Sequence, residues 1–217
     1  MKKLLTAITL LAAATCAAAQ DWGLRAAFDI NIPSKIGGRL ENSPDLDMYR
    51  TGYGGTIGVV YDHWLSSSIF LQPGLSLFYD TYSYKDLLLT GASGQMLEEN
   101  PSLYKLGFRV PVVIGYSYYL TESLPMRVYT GPEFSYAFAG DIRFKHRSPE
   151  YDDIHLFGKE SGKGEQRRFD AAWKLGLAAD FDLAIVGVEV AVGMTDLYSG
   201  HLTFRENRVS VSVTRFF

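Results

Sequence analysis

The 217-residue chain has a single cysteine, and after its first twenty residues it has no apolar run long enough for a membrane-spanning helix. Cys16 lies within a predicted signal peptide, so the mature chain is expected to hold no disulfide. Cys16 could instead carry a lipid, although Thr15 stands where a lipidation motif prefers Gly, Ala or Ser. The formal net charge is −3, and the loss of Lys2 and Lys3 makes it −5. A mildly acidic chain without a basic run predicts no nucleic-acid partner.

The N-terminus has the three parts of a targeting segment. Lys2 and Lys3 form a positive region, the stretch Leu4–Leu11 is apolar, and Ala17–Ala19 supplies a small-residue cleavage site before Gln20. We therefore predict that residues 1–19 are a signal peptide and that residues 20–217 form one domain.

Amphipathic helical periodicity is also missing, whereas aromatic residues and glycine are abundant: 14 Tyr, 13 Phe and 21 Gly. Instead, eight segments alternate with a period of two, which is typical of strands. Each is long for a soluble strand and long enough to cross a bilayer at a tilt. The predicted strands are Trp22–Ile32, Gly52–Trp64, Ser68–Tyr82, Leu103–Tyr119, Met126–Ala139, Arg167–Asp182, Ile185–Thr195 and Arg205–Phe217.

The links between these segments alternate strictly between long and short. Short turns and longer polar loops in alternation are typical of outer-membrane barrels, with the turns in the periplasm and the loops outside the cell. An even number of strands then places both termini in the periplasm. The long links are Pro33–Thr51, Ser83–Ser102, Gly140–Gln166 and Asp196–Phe204, and the short ones lie around Leu65–Ser67, Leu120–Pro125 and Leu183–Ala184.

The two faces of the predicted strands differ in chemistry. One face is almost free of charge, as a lipid-facing surface requires, and the other combines small residues with charges of both signs. We predict that the second face forms a mutually neutralising network in the lumen, which an eight-stranded barrel can just fill. A polar plug is favoured over a proton or ion path. The predicted network comprises Arg25, Lys105, Arg109, Glu133, Lys174, Asp180 and Glu189.

Candidate chemistry lies in the long loops, of which the third is the richest in titratable residues. His146, His155 and His201 with Asp152 and Asp153 are the residue types of a metal site or a His–Asp hydrolase pair. Their spacing matches no metal-site template, so we expect no catalytic, cofactor or metal site. A small basic cluster in the same loop could contact lipopolysaccharide phosphates, although a solvated loop is favoured: Arg143, Lys145, His146 and Arg147.

Several short motifs, in their order along the chain, carry a family resemblance. The chain resembles the outer-membrane β-barrel family that includes PorT-like proteins in four motifs: LQPGL at Leu71–Leu75, the pair Val110–Pro111, the pair Gly131–Pro132 and the closing NRVSVSVTRFF. The resemblance implies a small eight-stranded barrel in the outer membrane of a Gram-negative bacterium. It implies no single activity, since a few members are tied to protein secretion and most are uncharacterised. The terminal Phe217 resembles the signal read by the barrel-assembly machinery.

The sequence thus predicts an all-β protein, an eight-stranded antiparallel up-and-down transmembrane β-barrel. The expected role is structural or interactive: surface contact, envelope integrity, or an accessory part in secretion. The alternatives are a narrow pore or small-solute conduit, and a rim enzyme acting on lipid or peptide. The expected partners are outer-membrane lipid including lipopolysaccharide, the barrel-assembly machinery, and secretion or surface proteins.

Overall fold

The structure is a computed structural model that describes residues 22–34, 37–38, 49–85, 87–90, 96–99, 101–143, 154–157, 166–197 and 202–217. Within these ranges, no helix is long and apolar enough to cross a membrane. Eight long strands form the wall: β1 (Trp22–Pro33), β2 (Tyr49–Tyr61), β3 (Ile69–Tyr84), β4 (Ser102–Thr121), β5 (Leu124–Arg143), β6 (Phe169–Asp180), β7 (Ile185–Gly193) and β8 (Glu206–Phe216).

The eight strands form a closed ring. Each strand pairs antiparallel with its neighbours in chain order, and β8 returns to pair with β1 from Gly23 opposite Phe216 to Pro33 opposite Glu206. Closure leaves no unpaired edge on the sheet, which removes the aggregation hazard of an exposed terminal strand. The predicted fold class, an all-β eight-stranded antiparallel barrel, is confirmed.

The strand ends differ from the predicted ones by a few residues. β4 and β5 continue their pairing to Ser102 opposite Arg143, beyond the predicted end at Ala139, because Leu103 and Ile142 pack together above the lumen. At the other end, the predicted strand through Trp64 is interrupted at Asp62, and the short piece His63–Trp64 continues the pairing with β3 in the same register.

Short strands extend the wall at the loop end. The piece Gly37–Gly38 pairs with Leu202–Thr203, so the first and fourth links meet. The second link contains a hairpin of Leu87–Thr90 with Met96–Glu99. The third link contributes Ile154–His155, which pairs with β5. The loop end of the barrel is therefore partly built from strands.

Buried and exposed residues alternate along the wall strands. In contrast to a soluble barrel, the apolar side chains point outward and the charged ones point into the lumen. In β7 the valines are exposed while Glu189 is buried, and in β1 the large apolar Leu24 and Phe28 are exposed while Arg25 and Asp29 are buried. Exposing a large apolar side chain to water costs roughly 1.5–3 kcal/mol, and dozens of these side chains point outward. The outer wall is therefore suited to hydrocarbon, as in a membrane-spanning barrel.

Candidate functional site: the lumen and its two ends

The centre of the lumen is filled by a chain of ion pairs between different strands. Lys174 on β6 lies 2.6 Å from Glu133 on β5 and 3.1 Å from Glu189 on β7, measured from its Nζ to the carboxylate oxygens. Arg25 from β1 pairs with Glu189, and Arg208 from β8 pairs with Glu133. All five side chains are almost fully buried. Each charge needs its partners because an unpaired buried charge costs several kcal/mol.

Asp29 on β1 joins this chain to a second group of charges. It accepts hydrogen bonds from Arg109 Nη1 at 2.7 Å and from Ser210 Oγ at 2.5 Å, and Arg208 Nε lies 3.8 Å away. Arg109 also pairs with Asp80 on β3, and its guanidinium lies 4.2 Å above the Phe78 ring. Asp29 is therefore bound from several sides of the lumen at once, which links strands that are not neighbours in the sheet.

Two of the predicted network residues lie at its margins. Lys105 pairs with Glu206 nearer the loop end. Asp180 is half-buried near the turn end, with an oxygen 3.6 Å from Arg127, and Arg127 itself pairs with Asp62. The structure therefore places Arg25, Arg109, Glu133, Lys174 and Glu189 in the central chain of ion pairs and Lys105 and Asp180 outside it.

An apolar cluster closes the loop end of the lumen. Inward residues of the wall meet residues of the loops, and the rings of Tyr49 and Phe204 lie 4.9 Å apart. Leu156 and Leu197 pack into the same cluster from the third link and from the segment after β7. We call this group the loop-end cap; its buried members are Tyr49, Tyr82, Leu103, Leu156, Leu197 and Phe204.

A second apolar cluster closes the turn end. The guanidinium of Arg127 lies 5.4–5.5 Å from the rings of Trp64, Phe70 and Phe216, so a cation is enclosed by aromatic faces. The Phe70 ring occupies the place where a side chain at position 115 would begin, so Gly115 is required there. We call this group the turn-end cap; it comprises Phe70, Val113, Tyr129, Ala178, Ile185 and Phe216.

Little space remains between these layers. Three cavities in the described part of the lumen have volumes of about 30, 20 and 10 Å³. A single water needs roughly 10–15 Å³ on this measure, so each cavity holds at most a few water molecules. The largest of these three lies between the central ion pairs and the loop-end cap, where Lys105, Arg208 and Glu206 line it.

Several lumen charges were absent from the predicted network. Five further residues make buried or half-buried ion pairs: Arg208, Asp80, Asp62, Glu206 and Arg127. The alternation along the strands could have identified two of them. Arg208 is two residues from Ser210, and Asp80 is eight residues from Gln72, so each lies on the same polar face as its neighbour. Their partners depend on how strands face each other across the lumen, which alternation along one strand does not reveal.

The predicted loop chemistry is only partly described. His146, Asp152, Asp153 and His201 lie outside the described residues, as do Lys145 and Arg147. His155 is described, and its Nδ1 lies 2.5 Å from Asp141 Oδ1 on the outside of the wall. In the part of the chain that the structure describes, no three His, Cys, Asp or Glu side chains converge as metal ligands.

The two terminal aromatics have different surroundings. Phe216 packs in the turn-end cap, whereas Phe217 is 58% exposed and its backbone N–H donates to the carbonyl of Trp22 at 3.0 Å. The terminus is thus tied to the first residue of β1. Recognition of Phe217 by the assembly machinery remains a prediction.

The fold is similar to several solved bacterial surface and outer-membrane proteins. Ail, the attachment invasion locus protein of Yersinia pestis, solved with the heparin analogue sucrose octasulfate, is 8% identical, with 91% of this chain and 98% of that chain covered and a TM-score of 0.44. Neisserial surface protein A is 12% identical over 90% and 97% of the two chains, with a TM-score of 0.45. The outer membrane protein OprG from Pseudomonas aeruginosa is 12% identical over 91% and 93%, with a TM-score of 0.40.

No protein-family model and no curated protein matches the sequence. The resemblance to PorT-like proteins therefore remains a prediction from the short motifs.

Proposed function

We propose that the protein is an outer-membrane barrel of a Gram-negative bacterium, with both termini in the periplasm and four loops outside the cell. Its role is structural or interactive, exercised where the loops and the outer wall meet other molecules: surface contact, envelope integrity or a part in secretion. The observation that carries this proposal is the filled lumen. A barrel filled by its own side chains is a scaffold, and its working surfaces are then on the outside.

The layering of the lumen supports a scaffold over a conduit. A hydrated solute would have to displace the loop-end cap, break the ion pairs around Asp29, Glu133 and Glu189, and then pass the turn-end cap. Breaking one buried pair by removing a partner costs about 3–5 kcal/mol. Small-molecule sites usually offer roughly 300–1,000 Å³, far more than the cavities here.

The other alternative, a rim enzyme, depends on loop histidines of which only His155 is described. That histidine is 78% exposed on the side chain and paired with Asp141. The three cavities described above lie inside the lumen, and His155 lines none of them. We therefore favour a role without catalysis.

Planar-bilayer recording tests the sealed lumen directly. The mature protein, refolded and inserted into a bilayer, is expected to give no discrete conductance steps. Insertion is verified in parallel by protease protection and by the heat-dependent gel shift of a folded barrel. The absence of conductance steps can then be attributed to a closed lumen. Discrete ion-selective steps from the parent protein would overturn the proposal in favour of a pore.

A variant with both the cap and the network reduced provides the matched positive control. Phe204→Ala removes a cap ring, and Arg109→Ala with Lys174→Ala removes two central cations. We expect this triple variant to leak ions if it inserts, because water can then fill the space that these side chains occupied. If the variant conducts ions and the parent does not, the side chains replaced in the variant are what close the lumen of the parent.

A further inference from the structure

Among the side chains that the structure describes, exposed carboxylates occur at only one end of the barrel. At the loop end, every exposed charged side chain that the structure describes is cationic. The exposed carboxylates among the described side chains, Glu122 and Asp182, both lie in the turns at the opposite end. The exposed cations of the loop end are Arg50, Lys85, Arg143, Arg167, Arg168 and Arg205.

Two of these cations belong to one continuous row across four strands. Arg50 on β2 lies opposite Ser83 on β3, Ser83 lies opposite Ser102 on β4, and Ser102 lies opposite Arg143 on β5. Arg50, Ser102 and Arg143 are exposed and Ser83 is half-exposed, because the adjacent residues of these strands point into the loop-end cap. We call Arg50, Ser83, Ser102 and Arg143 the basic row.

A row of amphipathic side chains lies directly below the basic row. Tyr53 on β2, Thr81 on β3 and Tyr104 on β4 are aligned, and Asp141 with His155 continues the row on β5. The Arg143 guanidinium lies 4.5 Å from the Tyr104 ring. Tyrosines with an apolar body and a polar tip are typical of the boundary between hydrocarbon and headgroups.

Beyond a second tyrosine level at Tyr79, the outward positions toward the turns are apolar. Ile57, Leu77 and Phe108 lie in line across β2, β3 and β4, and all three are exposed. The basic row and the apolar row are six residues apart along β3 and β4, at about 3.3 Å each, so the wall passes from guanidinium and hydroxyl groups through tyrosines to hydrocarbon within roughly 20 Å. This is the chemical gradient of one bilayer leaflet, with the basic row at the depth of the headgroups.

We propose that the basic row binds the phosphate groups of a lipopolysaccharide molecule in the outer leaflet; this rests on the proposed outer-membrane location. Arg50 and Arg143 are three strand spacings apart, roughly 14 Å at about 4.8 Å each, so they can hold two separate anionic groups. Guanidinium groups bind phosphate through paired hydrogen bonds. The hydroxyls of Ser83 and Ser102 lie between them and face the sugar that bears the phosphates.

The position of the basic row on the outer wall favours a lipid as its ligand over a soluble polyanion. It faces sideways from the wall and continues without interruption into the tyrosine and apolar rows below. A ligand that contacts all three rows must carry phosphate, sugar and acyl chains in that order. A soluble anion would contact the basic row alone.

Binding in detergent micelles tests the assignment. The refolded protein is titrated with lipopolysaccharide carrying both lipid A phosphates and with the enzymatically dephosphorylated form. Arg50→Gln with Arg143→Gln is expected to weaken binding of the phosphorylated form about 100-fold, since each charge-assisted contact accounts for about tenfold. The variant should bind the dephosphorylated form as the parent does.

A control variant loses the same net charge elsewhere. Arg168 lies at the mouth of the lumen and Arg215 near the turn end, so Arg168→Gln with Arg215→Gln should leave binding unchanged. An equal loss in this control, or undiminished binding by the Arg50 and Arg143 variant, would overturn the proposal. Full competition by soluble inositol hexaphosphate would overturn the lipid assignment as well.

The same preparations separate this proposal from the one on which it rests. Failure of the parent protein to insert into vesicles would contradict the membrane location itself. Normal insertion, with a folded barrel by the gel shift, combined with unchanged binding by the variant contradicts only the basic row as a phosphate site.

Discussion

Trp173 shows how a single polar group is accommodated on the lipid-facing wall. The side chain is 49% exposed toward the surroundings, yet its indole N–H donates to Thr130 Oγ1 at 2.8 Å, and that hydroxyl donates in turn to the carbonyl of Lys174 at 3.0 Å. Hydrocarbon offers no replacement partner for an indole N–H. The threonine on β5 therefore makes the tryptophan on β6 compatible with the membrane.

Replacing Thr130 with valine should lower the free energy of unfolding in liposomes by about 1–2 kcal/mol, because the indole N–H then lacks an acceptor. Urea titration followed by tryptophan fluorescence measures this change. The matched variant Thr130→Ser keeps the hydroxyl and should stay near the parent value. Equal destabilisation by serine and valine would mean that methyl packing, and not the hydrogen bond, matters at this position.

At the scale of a single element, the last hairpin depends on an unusual backbone conformation. Asp182 has a φ of 55°, and the N–H of Phe181 bonds to the carbonyl of Ala184 at 3.1 Å around it. This left-handed conformation is tolerated by Gly, Asn and Asp and costs other residues roughly 1–2 kcal/mol. The tight link between β6 and β7 is thus centred on Asp182 and Leu183, slightly before the predicted centre at Leu183–Ala184.

Asp182→Val should therefore lower the free energy of unfolding by at least about 1 kcal/mol, whereas Asp182→Gly should leave it unchanged or slightly raised. Denaturant titration of the refolded barrel provides the measurement. Glu122→Val in the preceding turn, where no positive φ is present, serves as the control and should stay within about 0.5 kcal/mol of the parent. If both valine variants lose the same stability, backbone strain at Asp182 is not the cause.

Strands and faces could be predicted from the sequence because period-two alternation is a local property of each segment. The partners of the lumen charges could not. Arg109 pairs with Asp29 and Asp80, neither of which is in the predicted network, because the strand tilt and register decide which side chains meet across the barrel. The caps were also missed, since Leu156, Leu197 and Phe204 lie in or beside loops whose folding over the lumen has no repeat in the sequence.

The whole molecule has two chemically different ends. Among the described residues, the exposed charged side chains of the loop end are cationic, the exposed carboxylates lie in two of the turns, and β1 begins and β8 ends at the turn end. In the proposed orientation the cations face the anionic outer leaflet and the cell exterior. The orientation can be measured without background, since the only cysteine, Cys16, belongs to the predicted signal peptide.

Single-cysteine labelling provides that measurement. Lys85→Cys at the loop end should react with a membrane-impermeant maleimide on intact cells, because the side chain is exposed there. Ser123→Cys in a turn should react only after the outer membrane is permeabilised. The reverse pattern would place the termini outside the cell and contradict the proposed topology.

The seam between β1 and β8 has a consequence for the order of assembly. Its residues are separated by nearly the whole mature chain, since Gly23 pairs with Phe216 and Phe217 bonds to Trp22. In a chain delivered from its N-terminus, β1 can pair with β2, but its other edge stays unpaired until β8 has arrived. Periplasmic chaperones would have to shield that strand during the delay, and truncation of even the last few residues should trap an open sheet and expose it to degradation.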